Sequence, residues 1–286
     1  RPVTPGVAGS SPVHSANNQA KAGLVPAFVF SAQAHGMYDD IARLILDSRR
    51  ILFITGAGIS ADSGLPTYRG VGGLYEEELT SEGCSIEEAL SGPMLASRPE
   101  ITWKYLLQIA RNCSQATPNG AHRIIASLEA NVPEIIVYTQ NIDGLHAAAG
   151  SSNLIEIHGN LHHLHCTHCR FRATVENYDD LSVPPLCPKC FAPLRPEVVL
   201  FGEALPTEAI GRLEDECAQG FDLLFSIGTS SLFPYIVEPV IWAKQAGTPC
   251  IEINPGETSV SGIVDLAIRE RAAPAMEAIW QALQDH

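Results

Sequence analysis

Six short and mostly apolar runs, at 51–54, 135–138, 154–157, 198–201, 223–227 and 250–253, constrain this chain more than any other feature. A strand that is apolar along its whole length, with no polar alternation, is covered on both faces. Stretches with helical spacing lie between most of these runs, for example 121–130 and 239–246. Strands alternating with helices predict a parallel sheet built by crossovers, a Rossmann-like, doubly wound α/β fold. In such sheets ligands bind outside the carboxyl edge, so the residues just past each run carry the functional information.

Two stretches interrupt this pattern. Residues 71–117 show helical spacing at 86–90 and 101–111 but no strand of the main sheet, and they predict a helical insertion. Residues 162–195 hold four cysteines, several histidines and prolines, and are too polar for a core. Cys166-x-x-Cys169 and Cys187-x-x-Cys190, with 17 residues between the pairs, predict a small inserted zinc ribbon. Four thiolates complete a closed, tetrahedral structural site that holds one Zn²⁺ and performs no chemistry. His146, His162, His163, His165 and His168 are then expected at the surface or in the zinc module. Cys250 reads as an inert core residue of its strand.

The first 36 residues contain no Met and have no strand or helix periodicity. They are expected to be an extension outside the folded unit, disordered or vector-derived. The apolar stretch 24–34 after Lys21 imitates a secretory signal, a weaker reading. Helical spacing of Ile41, Leu44 and Ile45 marks Met37 as the expected start of a folded domain over 37–286. Its core is expected at about 37–70, 118–161 and 196–286. The 45% hydrophobic content over 286 residues can bury such a core. A formal charge of −14 excludes nucleic acid as a direct partner, since phosphate binding draws on Lys and Arg. It suits basic, Lys-rich protein segments instead. No apolar run approaches the roughly 20 residues of a membrane span, and a cytoplasmic location is expected.

Past the first run stand Gly56, Ala57, Gly58 and Ser60, a loop that reads as leading into a helix. Glycines there let backbone approach a pyrophosphate at a helix N-terminus. Gly228, Thr229 and Ser230 offer a second phosphate or ribose loop, and Asn254 follows the last run within reach of a ribose hydroxyl. The acidic residue that dehydrogenases present about 20 positions after the glycines is missing, as is a phosphate-binding lysine motif. Hydride and phosphoryl transfer both lose ground. The second run delivers Gln140, Asn141 and Asp143, and the third delivers His158. An amide pair, a carboxylate and an imidazole at one sheet edge suit acid–base chemistry on a bound nucleotide.

Together Gly56-Ala57-Gly58-Ile59-Ser60, Gln140-Asn141-Ile142-Asp143, His158-Gly159 and the cysteine quartet resemble the sirtuin family of NAD-dependent protein deacylases. The resemblance covers roughly 37–286. It implies that the acyl-lysine carbonyl oxygen attacks the ribose of NAD, releasing nicotinamide and O-acyl-ADP-ribose. His158 is then the catalytic base, Asn141 holds a water or ribose hydroxyl, Asp143 accepts from the nicotinamide carboxamide and Gln140 bonds the ribose. Tyr68 and Arg69 match the flexible cofactor loop, where the family usually carries Phe in place of Tyr68. Phe201, Gly202, Glu203, Leu232 and Phe233 match the loops that pair with an extended acyl-lysine peptide. Where the desuccinylating subgroup holds Tyr and Arg, this chain has Leu106 and Ile109, which implies a pocket for neutral acyl groups. An ADP-ribosyltransferase or NAD hydrolase is the alternative on the same site; a non-catalytic NAD sensor would need no base.

Overall fold

The computed structural model describes residues 34–67, 80–179 and 181–286. Six strands form the main sheet: β1 Arg50–Thr55, β2 Glu134–Thr139, β3 Leu154–Glu156, β7 Leu223–Ile227, β8 Cys250–Ile253 and β9 Leu266–Ile268. A second sheet holds β4 Gly159–Cys166, β5 Arg172–Thr174 and β6 Leu194–Val198. The main sheet has the order β3-β2-β1-β7-β8-β9, with every pairing parallel. That is the doubly wound order, and it turns around β1.

The apolar runs are buried on both faces as their composition requires. Ile51 and Phe53 point into a cluster covered by α1 Ala34–Asp47, α5 Gly120–Leu128 and α9 Ala272–Gln284. Leu52 and Ile54 point the other way, toward Leu213 of α7 Thr207–Gln219 and Ile236 and Val240 of α8 Pro234–Gln245. Phe53 stacks on Phe225 of β7 with centroids 4.9 Å apart and planes 6° from parallel. Helix α1 starts at Ala34, three residues ahead of the expected boundary at Met37. No helix among the described residues is long and apolar enough to cross a membrane.

The run at 198–201 is not a strand of the main sheet. Val198 ends β6, which pairs antiparallel with β4, and Phe201 makes an isolated parallel bridge to Ser91. The sixth main-sheet strand is β9, three residues long and too short to show in the apolar pattern. Within the helical insertion lie α2 Ile86–Ala89, α3 Gly92–Ser97 and α4 Pro99–Gln115. This insertion and the cysteine-bearing sheet share one apolar core, in which Trp103, Leu107, Leu161, Leu164, Tyr178 and Leu194 all take part. The Trp103 indole N–H donates to the Leu194 carbonyl at 2.8 Å, and the Tyr178 hydroxyl donates to the Leu161 carbonyl. The two insertions therefore fold as one body, although the 44 residues 118–161 of main-domain chain separate them in sequence.

Phe225→Ala removes half of the central aromatic stack from a fully buried site. It should destabilise the protein by about 3–5 kcal/mol, read as a lower urea midpoint with an unchanged transition slope.

Candidate active site

The carboxyl ends of β1, β2 and β7 align, with Thr55 opposite both Thr139 and Ile227. The loops that follow therefore start at one level. Gly58 N–H donates to the Gly228 carbonyl at 2.8 Å. A Cβ on Gly56 would lie 2.8 Å from the Gly228 carbonyl oxygen, and one on Gly58 would lie 2.6 Å from the Gly228 Cα. These glycines are required first because two loops touch backbone to backbone, before any ligand is considered. Ala57–Ser63 is a 3₁₀ turn of seven residues, with Ala57 half-buried at its start. The helix expected behind the glycine loop is thus present in the tighter 3₁₀ form and begins within the loop, at Ala57.

Ser60, Asn141 and Asp143 form a buried chain. Asn141 Nδ2 donates to the Gly56 carbonyl at 3.1 Å and to Ser60 Oγ at 3.2 Å, and Ser60 Oγ donates to Asp143 Oδ2 at 2.7 Å. Asp143 Oδ1 accepts from Leu145 N–H at 2.9 Å. Burial raises the Asp143 pKa, and these two donors oppose that rise. Ser60 thus faces Asp143 and serves the carboxylate. Gln140 Nε2 donates to Thr229 Oγ1 at 2.8 Å, and Asn254 Nδ2 donates to the Thr229 carbonyl at 3.0 Å. Thr229 is the point where the loops after β2, β7 and β8 meet, with exposed Ser230 beside it. Ser231 sits at φ 52° with its hydroxyl buried and without a partner among the described residues.

His158 follows β3 at the same edge. Its Nδ1 lies 2.9 Å from the Gln140 carbonyl oxygen, which can only accept, so Nδ1 carries the proton. Nε2 is then the bare nitrogen, and it accepts from the Tyr235 hydroxyl at 2.9 Å. Burial lowers the His158 pKa, so the ring is neutral at pH 7 and able to take a proton. Gly159 has φ 77°, and a Cβ there would lie 1.9 Å from the Glu197 carbonyl oxygen. Only glycine lets β6 pass this close to the backbone that follows His158. The contact of Tyr235 with His158 spans 77 residues and leaves no local signal in the sequence.

His146 is not at the surface. It is buried in the main domain, with Nε2 3.0 Å from Thr55 Oγ1 and its ring edge-on to His122 at 4.8 Å. Burial pushes its pKa down to about 3, so it stays uncharged. His162 bridges the two bodies, from the Val175 carbonyl at 3.0 Å to the Asp143 carbonyl at 3.4 Å. Cys250 is a fully buried strand residue, its thiol pushed up to about 12 by burial.

The sulfurs of Cys166, Cys169, Cys187 and Cys190 all lie within 4.8 Å of one another, and no histidine joins them. Cys166–Cys190 is 3.4 Å and Cys169–Cys187 is 3.6 Å. Four thiolates around zinc at about 2.3 Å would stand about 3.8 Å apart. Backbone N–H groups of His168 and Cys169 point at Cys166 Sγ at 3.3 Å, and that of Lys189 points at Cys187 Sγ at 3.4 Å. Such donors stabilise thiolate. The quartet fits a structural zinc site.

The expected substrate contacts are spread along the junction of the two bodies. Leu106 and Ile109 are buried in the shared core, and half-buried Ile142 and Phe201 pack against it. Backbone of Phe201 is already committed, its N–H to the Leu90 carbonyl and its carbonyl to Gly92 N–H, both at 3.0 Å. Gly202 is open, with nothing within 4 Å of a Cβ position. Glu203 is held by Arg195 at 2.6 and 2.8 Å and by Leu200 N–H at 2.9 Å, which makes it a brace for the turn. Leu232 and Phe233 are exposed beside Tyr235. Tyr68 and Arg69 lie outside the described residues.

A parallel doubly wound sheet, a crevice of loops at its turning point and a thiolate-bound side body define a nucleotide-binding α/β protein. The chain belongs to the Sir2 family, whose model matches residues 56–234. It is 48% identical over 246 residues to "NAD-dependent protein deacylase 2" of Pseudomonas aeruginosa, covering 85% of this chain and 96% of that one. It is 34% identical to "NAD-dependent protein deacylase" of Aquifex aeolicus, over 84% and 98% of the two chains. Among solved structures, a Sir2 homolog–NAD complex superposes with a TM-score of 0.76 at 35% identity, covering 86% and 94%. A Sir2–p53 peptide–NAD⁺ complex gives 0.74 at 29% identity, covering 86% and 98%.

Native protein purified without chelator should carry one zinc per chain. Cys187→Ser should lose it and lower the melting temperature of the side body, because structural zinc contributes folding free energy directly. Metal analysis and thermal melting check both parts.

Proposed function

We propose that this chain is an NAD-dependent protein lysine deacylase that releases nicotinamide and O-acyl-ADP-ribose. The single observation that carries this reading is His158, a neutral imidazole at the carboxyl edge of the sheet whose Nδ1–H is fixed by a backbone carbonyl and whose bare Nε2 meets only the Tyr235 hydroxyl among the described residues. The relatives' names supply the reaction, and the catalytic unit assigned is 37–286.

The crevice residues fit a dinucleotide. The Ser231 hydroxyl is buried without a partner among the described residues, in a left-handed turn beside Thr229, where a ribose or phosphate oxygen can supply one. Gly56, Ala57, Gly58, Gly228, Thr229, Ser230 and Asn254 are assigned to the wall on that side, and Tyr68 and Arg69, outside the described residues, are assigned to the cofactor by the family resemblance. Bound NAD supplies the electrophilic ribose carbon and the nicotinamide leaving group. Asp143 keeps free lone pairs beyond those taken by Ser60 and Leu145, enough to accept from a carboxamide. Asn141 is locked by two hydrogen bonds and can orient a hydroxyl without losing side-chain entropy at that step. Gln140 presents its remaining carbonyl oxygen to the ribose. His158 takes a hydroxyl proton at Nε2, and the Gln140 carbonyl bonded to Nδ1–H stabilises the resulting imidazolium.

The acyl-lysine peptide is assigned to the open backbone at Gly202 and the exposed loop at Leu232 and Phe233. Leu106 and Ile109 favour neutral acyl groups, because a carboxylate buried against them has no cation to pair with. Arg111 is exposed and lies 3.5 Å from Asp179, so it does not face that core. Four metal-binding thiols need a reducing compartment, which supports action in the cytoplasm.

His158→Ala should lower kcat/KM for deacetylation about 10²–10⁴-fold while NAD binding persists. In the wild type, the acid limb of the kcat/KM profile should lie below the ordinary imidazole value, since burial depresses the His158 pKa. A limb at or above that value, or a mutant with full turnover, would remove His158 from the reaction. Product mass spectra would show ADP-ribose on protein side chains, or free ADP-ribose, if transferase or hydrolase chemistry operates instead.

Acetyl-lysine peptides should be processed at least tenfold better than succinyl-lysine peptides. Leu106→Tyr with Ile109→Arg should shift that ratio toward succinyl, and paired rates on the two peptides measure it.

A further inference from the structure

The two nitrogens of His158 are held differently. Nδ1–H is bonded to main chain, the Gln140 carbonyl at the end of β2, and cannot be released without unpicking that strand end. Nε2 is bonded to a side chain, the Tyr235 hydroxyl at 2.9 Å. Tyr235 lies in the first turn of α8, half-buried, its ring stacked on exposed Phe233 at 5.3 Å with planes 9° apart. Its backbone is pinned, because the buried Tyr138 hydroxyl donates to the Tyr235 carbonyl at 3.1 Å. The phenol can therefore swing about its own torsions while the loop beneath it stays in place. Burial pushes the Tyr235 pKa up to about 12, so at neutral pH the hydroxyl is a donor.

An imidazole nitrogen has one lone pair in the ring plane and accepts one good hydrogen bond. In the reaction proposed above, that lone pair must accept a proton from a ribose hydroxyl. Tyr235 and the ribose hydroxyl then compete for the same atom. We infer that Tyr235 is a positioning residue that occupies Nε2 of His158 in the ligand-free protein and yields it to a ribose hydroxyl when NAD binds. This inference rests on the proposed function for the identity of the ligand. Holding Nε2 keeps the ring in the Nδ1–H tautomer, aimed into the crevice and shielded from water. Breaking the contact weakens NAD binding by the net worth of one exchanged hydrogen bond. Since Tyr235 stacks on Phe233 two residues before it, a peptide docking on that loop also meets the ring that must move.

The test uses the full chain labelled with ¹⁵N, wild type and Tyr235→Phe, with and without NAD. In Tyr235→Phe the Nε2 resonance of His158 should move, while Nδ1 stays where the Gln140 carbonyl holds it. By calorimetry, the Kd for NAD should fall roughly threefold, about what one neutral hydrogen bond is worth. Adding NAD to wild type should move Nε2 and leave Nδ1 unchanged, which decides the matter even if the variant does not fold. An unmoved Nε2 in either comparison, or a Kd that is unchanged or higher in the variant, overturns the inference. A wild type that binds NAD but removes no acyl group would defeat the enzymatic reading alone and leave the ratio of Kd values to judge this one.

Discussion

The absence of side chains at Gly56 and Gly58 lets the loop after β1 rest on the backbone of the loop after β7, and the active site hangs on that contact. Gly58 N–H bonds the Gly228 carbonyl, and the room it needs is less than a methyl group would take. With those loops in touch, Gln140 reaches Thr229, Asn141 reaches the Gly56 carbonyl and Asn254 reaches Thr229 from the far side. Four strand ends are thereby tied into one hydrogen-bonded rim. Because β1 is central and its neighbours run parallel to it, every contribution to the rim comes from the same end of the sheet.

The same economy of contacts fixes the chemistry. Asp143 is buried and would favour its neutral form, but Ser60 and Leu145 each give it a donor. His158 is kept uncharged by burial and given its tautomer by one backbone carbonyl. Neither group needs a partner of opposite charge. In the proposed reaction, an uncharged imidazole beside the positively charged nicotinamide of NAD suffers no repulsion from it, as a protonated one would.

Much of this was legible in the sequence, for identifiable reasons. Five of the six main-sheet strands show as mostly apolar runs because both faces of the sheet are covered, and that signature survives without knowledge of partners. The cysteine pairs were legible because zinc imposes its own spacing. The run at 198–201 misled because four apolar residues specify burial but not which sheet buries them, and β9 was missed because it is an edge strand of three residues with only Ile268 buried. His146 read as a surface residue because nothing in sequence distinguishes a buried neutral imidazole from a solvated one. Side-chain partners were least legible of all: Ser60 turns to Asp143, Glu203 to Arg195 and Tyr235 to His158 across separations that no local pattern encodes.

The shared core of the helical and cysteine-bearing insertions bears on how the protein can be recombined. Two segments far apart in the chain meet through the Trp103 indole and the Leu194 carbonyl, and Leu106 and Ile109 sit in the same packing. A chimera that imported only a relative's metal knuckles would leave α4 facing a foreign surface. One that imported only α4 would strand the knuckles. The transplantable unit is therefore discontinuous, both insertions moved together and the nucleotide rim left to the host sheet.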